Sequence, residues 1–478
     1  MRLAEIANLC GAAHRLAEAR AVAVPCGFAI DSRAVRANEI FVAIPGERVD
    51  GHQFVKEVLD KGALAAIVVH HRLPFSRDLA QYKDRLLFVT DTAAAFQRMA
   101  EKIVAAWNRP VVAVTASAGK TTIKDLIAHV LEGSSNRIFK SLGNLNTSYG
   151  LPLTVGRMIS GGTVPDDFDV AVFEFGMSSY GEIRRLTEIA PPSVSVVGNV
   201  GTAHIEFFGS SDGIAEAKAE IIDGLRPGGT AVLNADDARV TIMSERCPDA
   251  TVIRFGIENK AEISASDISD SRLGAVKFIL STPEGKAEVS LGLLGRHNVY
   301  NALAAAAVGH RFGMTAAEIA ERLGTAEPSK MRGEILRFSN GVTVIDDSYN
   351  SNPPALIQAV QAVAGAEGYA RRIVVAGEML ELGDAASEMH RGCGRDIAMS
   401  GVDLLIGVRG LARELVDGAS HAGMKGAVYC ETPEQAAQIL AGDLRTGDLV
   451  LVKGSRGVRT EKVIEGLKSA LGEVGSRE

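Results

Sequence analysis

The chain has 478 residues and a formal net charge of −7. This length exceeds what one hydrophobic core supports, so we expect several domains. With 46% hydrophobic and 23% charged residues the composition is that of an ordinary globular protein, and the acidic balance argues against nucleic acid as a partner.

The cysteines are scattered and form no CxxC pair: Cys10, Cys26, Cys247, Cys393 and Cys430. This spacing favours free thiols in a reducing compartment over a disulfide framework or a zinc site. The first residues are charged throughout and lack the apolar segment of a secretory signal. No uncharged apolar run reaches the ~18 residues that a membrane span needs. We therefore expect a cytoplasmic protein without stable membrane insertion.

The first domain, predicted over residues 1–91, mixes strands and helices. The run EIFVAI (39–44) is typical of a strand, and the turn cluster PGERVDGH follows it. A helix is predicted at about 53–62, and LAAIVV (64–69) is a second apolar strand. A helix near 92–107 then leads into the next domain.

The second domain, predicted over 92–326, alternates strands with helices. Its strand candidates are VVAVT (111–115), FDVAVFEFG (168–176), SVSVVGNVG (193–201) and TAVLNADD (230–237). Such alternation favours a parallel sheet covered on both faces. Residues 251–294 are richer in strand patterns, and 297–313 is an alanine-rich helix that ends at a glycine.

The third domain, predicted over 327–478, begins after the linker-like TAEPSKMRGE, in which Pro328 breaks a helix. Its strand candidates are GVTVIDDS (341–348), RRIVVAGEM (371–379), VDLLIGV (402–408) and DLVLVKGS (448–455). Helical patterns between them indicate a Rossmann-like unit. The predicted fold class is therefore α/β, with a small mixed N-terminal domain, a central P-loop-type domain and a C-terminal Rossmann-like domain.

The strongest local motif is VVAVTASAGKTT (111–122), a buried strand, a loop of small residues and a helix start. In this context backbone N–H groups and the helix N-terminus bind phosphates, a lysine adds charge and a hydroxyl binds Mg²⁺. The alternative is a chance strand–turn–helix, which does not explain a lysine and threonine at the helix start. The predicted nucleotide-binding residues are Ala116, Ser117, Ala118, Gly119, Lys120, Thr121 and Thr122.

Three further side chains are predicted to lie near the same sheet edge. Glu174 is a carboxylate near the end of an apolar strand, and His204 lies in the loop after the next strand. Lys218 follows on the next helix, in IAEAKAEIIDGL, where Ile214, Ile221, Ile222 and Leu225 share its face. Each residue also has an alternative interpretation. Glu174 could be a core carboxylate whose hydrogen bonds are all made within the protein, and His204 a surface histidine. Lys218 could bury its methylene groups while its ammonium group reaches water. An apolar setting would lower the pKa of the Lys218 amine.

Two more groups complete the prediction. Asn298 and Asn301 stand at i, i+3 on one helical face, where two amides could pair with an adenine edge, or could be an N-cap and a surface residue. In the last domain Arg332 is a candidate to contact a γ-phosphate, and Asp346 and Asp347 end a predicted strand.

Taken together, these motifs resemble the Mur ligases, ATP-dependent enzymes that build the peptide of the bacterial cell-wall precursor. The similarity is carried by blocks spread over nearly the whole chain: IDSRAVRANEIFVAIPGERVDGHQFV, TASAGKTT, GNLNTSYGLPLT, VFEFG, NVGTAHIEFFGS, IAEAKAEI, NADD, GRHNVYNALAA, IDDSYNSNP, GEMLELG and VLVKGSRGVRTEKVIEGL. GNLN and the last three blocks favour the member that adds a dipeptide.

The resemblance implies particular roles. Lys120 would contact the β- and γ-phosphates, Asn298 and Asn301 adenine, and Arg332 and Asp347 phosphate and ribose. Two Mg²⁺ ions are implied, one held by Thr121 and Glu174, the other by His204 and a carbamate formed from CO₂ on Lys218. The implied substrate-binding residues are Ser32, Arg33, Gly46, Asp50, Gly51, His52, Asn144, Asn146, Thr147, Asn350 and Asn352.

The implied reaction joins D-alanyl-D-alanine to a UDP-N-acetylmuramoyl-tripeptide (UDP-MurNAc-tripeptide) at the expense of ATP, and a monomer is expected. Two alternatives are a sibling ligase that adds one amino acid, to such a peptide or to folate, and a non-catalytic nucleotide switch. The chain departs from the family pattern at three places. Ala116 replaces a loop glycine and would crowd a backbone of positive φ, Met331 replaces a frequent glycine, and Ser178-Ser179-Tyr180 replaces a more polar stretch.

Overall fold

A computed structural model describes residues 1–46, 49–73, 77–134, 136–201, 205–273 and 275–472. The helices are α1 (Leu3–Cys10), α2 (Glu18–Ala21), α3 (Val55–Asp60), α4 (Thr92–Trp107), α5 (Lys120–Glu132), α6 (Gly150–Gly156), α7 (Glu182–Ile189), α8 (Ile205–Phe208), α9 (Ser211–Asp223), α10 (Ala238–Thr241), α11 (Arg296–Arg311), α12 (Ala316–Gly324), α13 (Pro353–Ala364), α14 (Ala386–Met399), α15 (Ala412–His421), α16 (Pro433–Asp443) and α17 (Glu461–Leu471). Within the described ranges, no helix is both long and apolar enough to cross a lipid bilayer.

The strands are β1 (Ala13–His14), β2 (Gly27–Ala29), β3 (Glu39–Val42), β4 (Ala65–Val69), β5 (Leu86–Val89), β6 (Val111–Thr115), β7 (Ile138–Lys140), β8 (Val170–Glu174), β9 (Val194–Val197), β10 (Thr230–Asn234), β11 (Thr251–Gly256), β12 (Ile263–Arg272), β13 (Ala275–Thr282), β14 (Gly285–Leu291), β15 (Glu334–Arg337), β16 (Thr343–Asp347), β17 (Arg371–Gly377), β18 (Leu404–Val408), β19 (Ala427–Cys430) and β20 (Asp448–Lys453). Every strand predicted from an apolar run is therefore present; β6 has the predicted bounds, and the others are shorter than predicted by one to five residues.

The chain divides into two compact units. The first comprises Met1–Val114, Ser135–Ser195 and Glu220–Thr230. It contains a five-stranded sheet of order β1-β5-β4-β3-β2, in which only β1 is antiparallel to its neighbour. It also contains three parallel strands, β8 between β6 and β7. The residues of β8 are all buried, as expected for a strand covered on both faces.

The second unit comprises Thr115–Ser134, Val196–Ala219 and Ala231–Glu478. Its first part holds β11 parallel to β12, followed by the antiparallel strands β13 and β14. The alanine-rich α11 packs against α5, and most of its length is buried. Because α5 follows the phosphate loop, this packing brings the polar start of α11 to the loop.

The last part of the second unit is a six-stranded sheet of order β15-β16-β20-β17-β18-β19. Only β15 runs antiparallel to its neighbour. Alternate residues serve opposite faces, so Val344 and Val450 join the core under α16 and α17, whereas Ile345 and Leu451 join the core under α13, α14 and α15. Helices on both faces of a largely parallel sheet confirm the predicted Rossmann-like class.

Two sequence expectations need correction. The linker predicted around 325–335 overlaps β15, which begins at Glu334; this edge strand is only half-buried and carries too few apolar residues to stand out. Leu225 was expected on the apolar face of Lys218, but α9 ends at Asp223 and Leu225 lies beyond it. The adjoining Gly224 lies so close to Thr187 that a Cβ there would come within 2.2 Å of it, and glycine disfavours continuing a helix.

Candidate functional site

The phosphate loop leads from β6 into α5, as predicted. Gly119 has φ +85°, a left-handed conformation that favours glycine. A Cβ at this position would come 2.5 Å from Oδ1 of Asn301. Lys120 is the first residue of α5, and its Nζ donates to the carbonyl of Ala116 at 2.7 Å, across the loop. The loop therefore ends at the N-terminus of α5, where Lys120 and Thr121 are the first two helical residues.

The loop carries polar groups that suit a phosphate ligand. Ser117 is 8% exposed, and among the described residues its Oγ has no hydrogen-bond partner. Thr121, the second residue of α5, is also buried. Buried hydroxyls normally find a partner, so an orphaned one beside a helix N-terminus fits an anionic oxygen.

Ala116 does not crowd the loop. Its φ is not positive, and the residue is fully buried. Crowding by its methyl group was expected only for a backbone of positive φ, and that condition is not met. Met331, the other residue that replaces a frequent glycine, is one of several non-glycine residues with positive φ, at +63°, a conformation that costs about 1 kcal/mol.

Glu174 ends β8 in the first unit and is 2% exposed. Its Oε1 accepts a hydrogen bond from Nδ2 of Asn146 at 2.8 Å. The carbonyl of Asn146 in turn accepts from Gly176 N at 2.8 Å, which fixes the amide beside the strand end. Thus the GNLN segment, predicted to bind substrate, orients the carboxylate; Asn144 is exposed, and the Thr147 hydroxyl accepts from Gly150 N.

Lys218 is buried to within 1% of full coverage on α9. Ile214, Ile221 and Ile222 of the same helix are also buried. Burial, and secondarily the charge of Lys120, holds the pKa of the Lys218 amine well below its usual range. The predicted apolar setting and its effect on this pKa are confirmed.

Asn298 and Asn301 lie on one face of α11, and their side chains are hydrogen-bonded to each other. Nδ2 of Asn301 donates to Oδ1 of Asn298 at 2.8 Å, and Nδ2 of Asn298 donates to the carbonyl of Leu294 at 2.7 Å. Because Asn301 also borders Gly119, the two amides lie beside the phosphate loop.

The C-terminal residues form a second group in the same unit. The Arg332 guanidinium lies 4.0 Å from the ring centroid of Tyr349, a cation–π contact. Oδ2 of Asp347 accepts from Nζ of Lys453 at 2.6 Å, and Lys453 also donates to the carbonyl of Asn350 at 3.0 Å. Sequence reasoning missed Lys453; its position at the end of the buried strand β20, at the start of KGSRG, was the available signal. Asn352 caps α13 by accepting from Ala355 N.

The predicted uridine-binding residues lie in the first unit. Asp50 accepts from the backbone N of His52 at 3.0 Å and from Arg72, and its Oδ1 lies 2.6 Å from Nδ1 of His52. The other ring nitrogen of His52 accepts from Val69 N, so the buried ring is engaged within the domain. Ser32 is buried, whereas Arg33 is exposed and pairs with Asp31. Gly46 and Gly51 both approach backbone so closely that a Cβ would meet it at 2.9 Å.

His204 lies outside the described residues. Within those residues, no group of three or more His, Cys, Asp or Glu side chains is arranged to hold a metal. Mg²⁺ is commonly held by one or two carboxylates together with substrate phosphates and water. The buried Glu174 carboxylate and the Thr121 hydroxyl are oxygen donors of the kind that this ion prefers.

His297, which sequence reasoning did not single out, should make stability pH-dependent. Burial lowers its pKa to about 4, with Asp347 acting to raise it and Lys453 to lower it. A folded pKa below the unfolded value of about 6.5 means that the stabilising contribution is complete above pH 6.5 and is lost as pH falls toward 4. We expect the free energy of unfolding to drop by up to about 2 kcal/mol between pH 8 and pH 5 through this group alone.

Urea unfolding of the wild type, His297→Gln and the surface control His421→Gln at both pH values would measure this drop. The drop should shrink in His297→Gln and persist in the control. Equal drops in all three proteins would contradict the assignment.

Comparison with known proteins bears on the whole chain. Three family models match: "Mur ligase family, catalytic domain" over residues 27–118, "Mur ligase middle domain" over 114–309, and "Mur ligase, glutamate ligase domain" over 331–456. The UDP-N-acetylmuramoyl-tripeptide–D-alanyl-D-alanine ligase of Bacillus subtilis (strain 168) is 34% identical over 445 residues, which cover 92% of this chain and 93% of the relative.

Solved structures agree. A crystal structure of MurF from Acinetobacter baumannii is similar with a TM-score of 0.81 and 30% identity, covering 92% of this chain and 93% of that one. MurF ligase from Thermotoga maritima in complex with ADP gives a TM-score of 0.78 and 30% identity, covering 93% and 97%. The chain therefore belongs to the Mur ligase family.

Proposed function

We propose that this protein joins D-alanyl-D-alanine to the C-terminal carboxylate of UDP-MurNAc-tripeptide with conversion of ATP to ADP and phosphate, a cytoplasmic step of peptidoglycan synthesis. The observation that carries the proposal is the extent of the match. Identity of 34% with a ligase of that name covers 92% of the chain, not the nucleotide-binding part alone. The proposed domains are residues 1–91 for the UDP end, 92–326 for ATP and 327–478 for completion of the ligase site.

The proposed chemistry passes through an acyl phosphate. A carboxylate is a poor acyl donor because oxide is a poor leaving group, and transfer of the γ-phosphoryl group from ATP replaces it with phosphate. The amine of the dipeptide then attacks the acyl carbon and displaces phosphate, so one difficult step becomes two easier ones. Two anions meet in the first step, and charge neutralisation therefore dominates its rate.

In the proposed site, Lys120 contacts the β- and γ-phosphates and Arg332 the γ-phosphate. Asn298 and Asn301 contact adenine, and Asp347 contacts ribose. Support comes from the loop geometry, from the Asn301–Gly119 contact and from the Lys453–Asp347 pair, which orients the carboxylate.

Two Mg²⁺ ions are part of the proposal, one held by Thr121 and Glu174 and one by His204 and a carbamate on Lys218. They would supply positive charge between ATP and the acceptor carboxylate. The neutral form of an amine is the one that reacts with CO₂, and the lowered pKa of Lys218 supports this role.

The substrate contacts are proposed from the family resemblance. Ser32, Arg33, Gly46, Asp50, Gly51 and His52 are assigned to the UDP end. Asn144, Asn146, Thr147, Asn350 and Asn352 are assigned to the peptide end. A monomer is proposed.

Phosphate release measured with a coupled assay tests the proposal. We expect release from ATP only when the UDP-linked tripeptide and D-alanyl-D-alanine are both present. L-Alanyl-L-alanine and single D-alanine are the matched controls, and neither should support turnover at comparable concentration. Release that is unaffected by omitting the dipeptide, or that single amino acids sustain, would count against the proposal in favour of a sibling activity.

A further inference from the structure

We propose that Asn199 is a positioning residue for the ATP phosphates, because its amide fixes the shape of the phosphate loop. The inference rests on the proposed function only in taking ATP as the ligand of that loop. Asn199 lies two residues beyond the end of β9, and no role follows for it from the sequence pattern.

Asn199 makes three hydrogen bonds to the loop. Its carbonyl accepts from Ser117 N at 3.0 Å, its Oδ1 accepts from Ala118 N at 3.0 Å, and its Nδ2 donates to the Ala118 carbonyl at 2.9 Å. The side chain thus pairs with both backbone polar groups of one residue, Ala118, as a neighbouring strand would. Of the side chains of this length only an amide offers a donor and an acceptor together.

These bonds fix the part of the loop that precedes Gly119 and α5. Loops that lie outside helix and sheet satisfy their backbone groups elsewhere, and here the partner is Asn199. Holding Ser117 and Ala118 also sets the position of the buried Ser117 hydroxyl and of the α5 N-terminus. The clamp therefore determines where phosphate donors stand before ATP binds, which lowers the ordering cost of binding.

The clamp is itself supported by the NADD block, to which sequence reasoning gave no role. Nδ2 of Asn234 donates to the carbonyl of Gly198 at 2.9 Å. Oδ2 of Asp237 accepts from Val200 N at 2.7 Å. Both neighbours of Asn199 are thereby held.

Close packing completes the arrangement. Gly198 N donates to the Thr115 carbonyl at 3.0 Å, and a Cβ at Gly198 would lie 2.8 Å from Cδ1 of Ile123 and 3.0 Å from Cβ of Ala116. The segment thus lies directly on the phosphate loop, where only glycine permits this approach.

Substitution Asn199→Asp tests the clamp with almost no change of shape. An oxygen replaces the Nδ2 donor and would face the Ala118 carbonyl, so a bond becomes a repulsion. We expect the dissociation constants for ATP and ADP, measured by calorimetry with Mg²⁺ present, to rise about 10-fold or more. KM for ATP should rise in parallel, while KM for the UDP-linked tripeptide and for the dipeptide should stay within about two-fold.

The matched control is Asn38→Asp. It makes the same amide-to-carboxylate change and removes one side-chain-to-backbone bond, from Asn38 Nδ2 to the Val24 carbonyl at 3.1 Å, between segments that precede β3 and β2. Nucleotide affinity should be unchanged in this variant. A loss of affinity equal to that of Asn199→Asp would show a general effect of the substitution and would overturn the proposal.

The proposal would also be overturned if the Asn199→Asp variant is folded and binds ATP and ADP with the affinity of the wild type. Asn199→Ser, which keeps a hydroxyl too short to pair with Ala118, should weaken nucleotide binding in the same direction. Misfolding of both variants would assign Asn199 to the fold and reject the proposal. Nucleotide binding is measured without the other substrates, so this test does not depend on the ligase reaction. If the wild type binds ATP but ligates nothing, the proposed function is rejected and the role of Asn199 in nucleotide binding can still be tested.

Discussion

Replacement of Lys218 by alanine is expected to lower turnover about 100- to 1,000-fold, because it removes the amine on which the proposed metal-binding carbamate forms. The side chain is buried to within 1% of full coverage, and its pKa is well below the usual range. Burying an amine costs desolvation free energy, so its loss should not prevent the variant from folding. Coupled phosphate release measures the loss, and thermal unfolding checks the fold.

Lys218→Met is the matched control for packing. It keeps the volume of the stem and lacks the amine, so it should be equally inactive and at least as stable as the wild type. Acetate should partly restore turnover in Lys218→Ala, whose cavity can admit a carboxylate, but not in Lys218→Met, where the space is filled. A ¹³C carbamate signal from labelled bicarbonate should appear in the wild type and vanish in both variants. Turnover of Lys218→Met within about ten-fold of the wild type would refute the role.

Glu174→Gln is the second substitution with a large expected effect. It removes one negative charge with little change of shape at a carboxylate that is 2% exposed and oriented by Asn146. We expect kcat to fall about 100-fold or more, and the Mg²⁺ concentration for half-maximal rate to rise. Titration of initial rate against Mg²⁺ at saturating ATP measures both quantities.

Two further variants sharpen that test. Asn146→Ala leaves the Glu174 carboxylate in place but removes the 2.8 Å hydrogen bond from Asn146 to it. We therefore expect a smaller effect of about 10-fold, mainly on the Mg²⁺ concentration for half-maximal rate. Glu188→Gln makes the same carboxylate-to-amide change on the exposed side of α7 and should leave the rate unchanged. An unaltered Mg²⁺ requirement in Glu174→Gln would argue against a metal-binding carboxylate.

The predictable part of the molecule is the part that short-range patterns encode. Continuous apolar runs located β6, β8 and β20, and the lysine in an apolar helix face was recognisable from spacing alone. The phosphate loop was visible because its strand, small residues and Gly119-Lys120 are consecutive in sequence. The pKa effect at Lys218 followed from the same apolar neighbours.

The unpredicted part depends on contacts between distant segments. Asn199 approaches Ala118 across a separation of 81 residues, and Lys453 meets Asp347 across 106. Neither pairing has a local periodicity, so only the register of the folded sheets reveals it. Backbone conformation was equally hidden: the sequence could not tell that φ is positive at Met331 and not at Ala116.

The contact between Ala116 and Gly198 has an evolutionary consequence. A Cβ at residue 198 would lie 3.0 Å from the methyl group of Ala116, so Ala116 together with Ile123 leaves room only for glycine at 198. In homologues with glycine at the position of Ala116 this methyl contact is absent, although the side chain at the position of Ile123 still limits the size of residue 198. We therefore expect the identities of these two residues to covary among Mur ligases, with alanine at the first accompanied by glycine at the second.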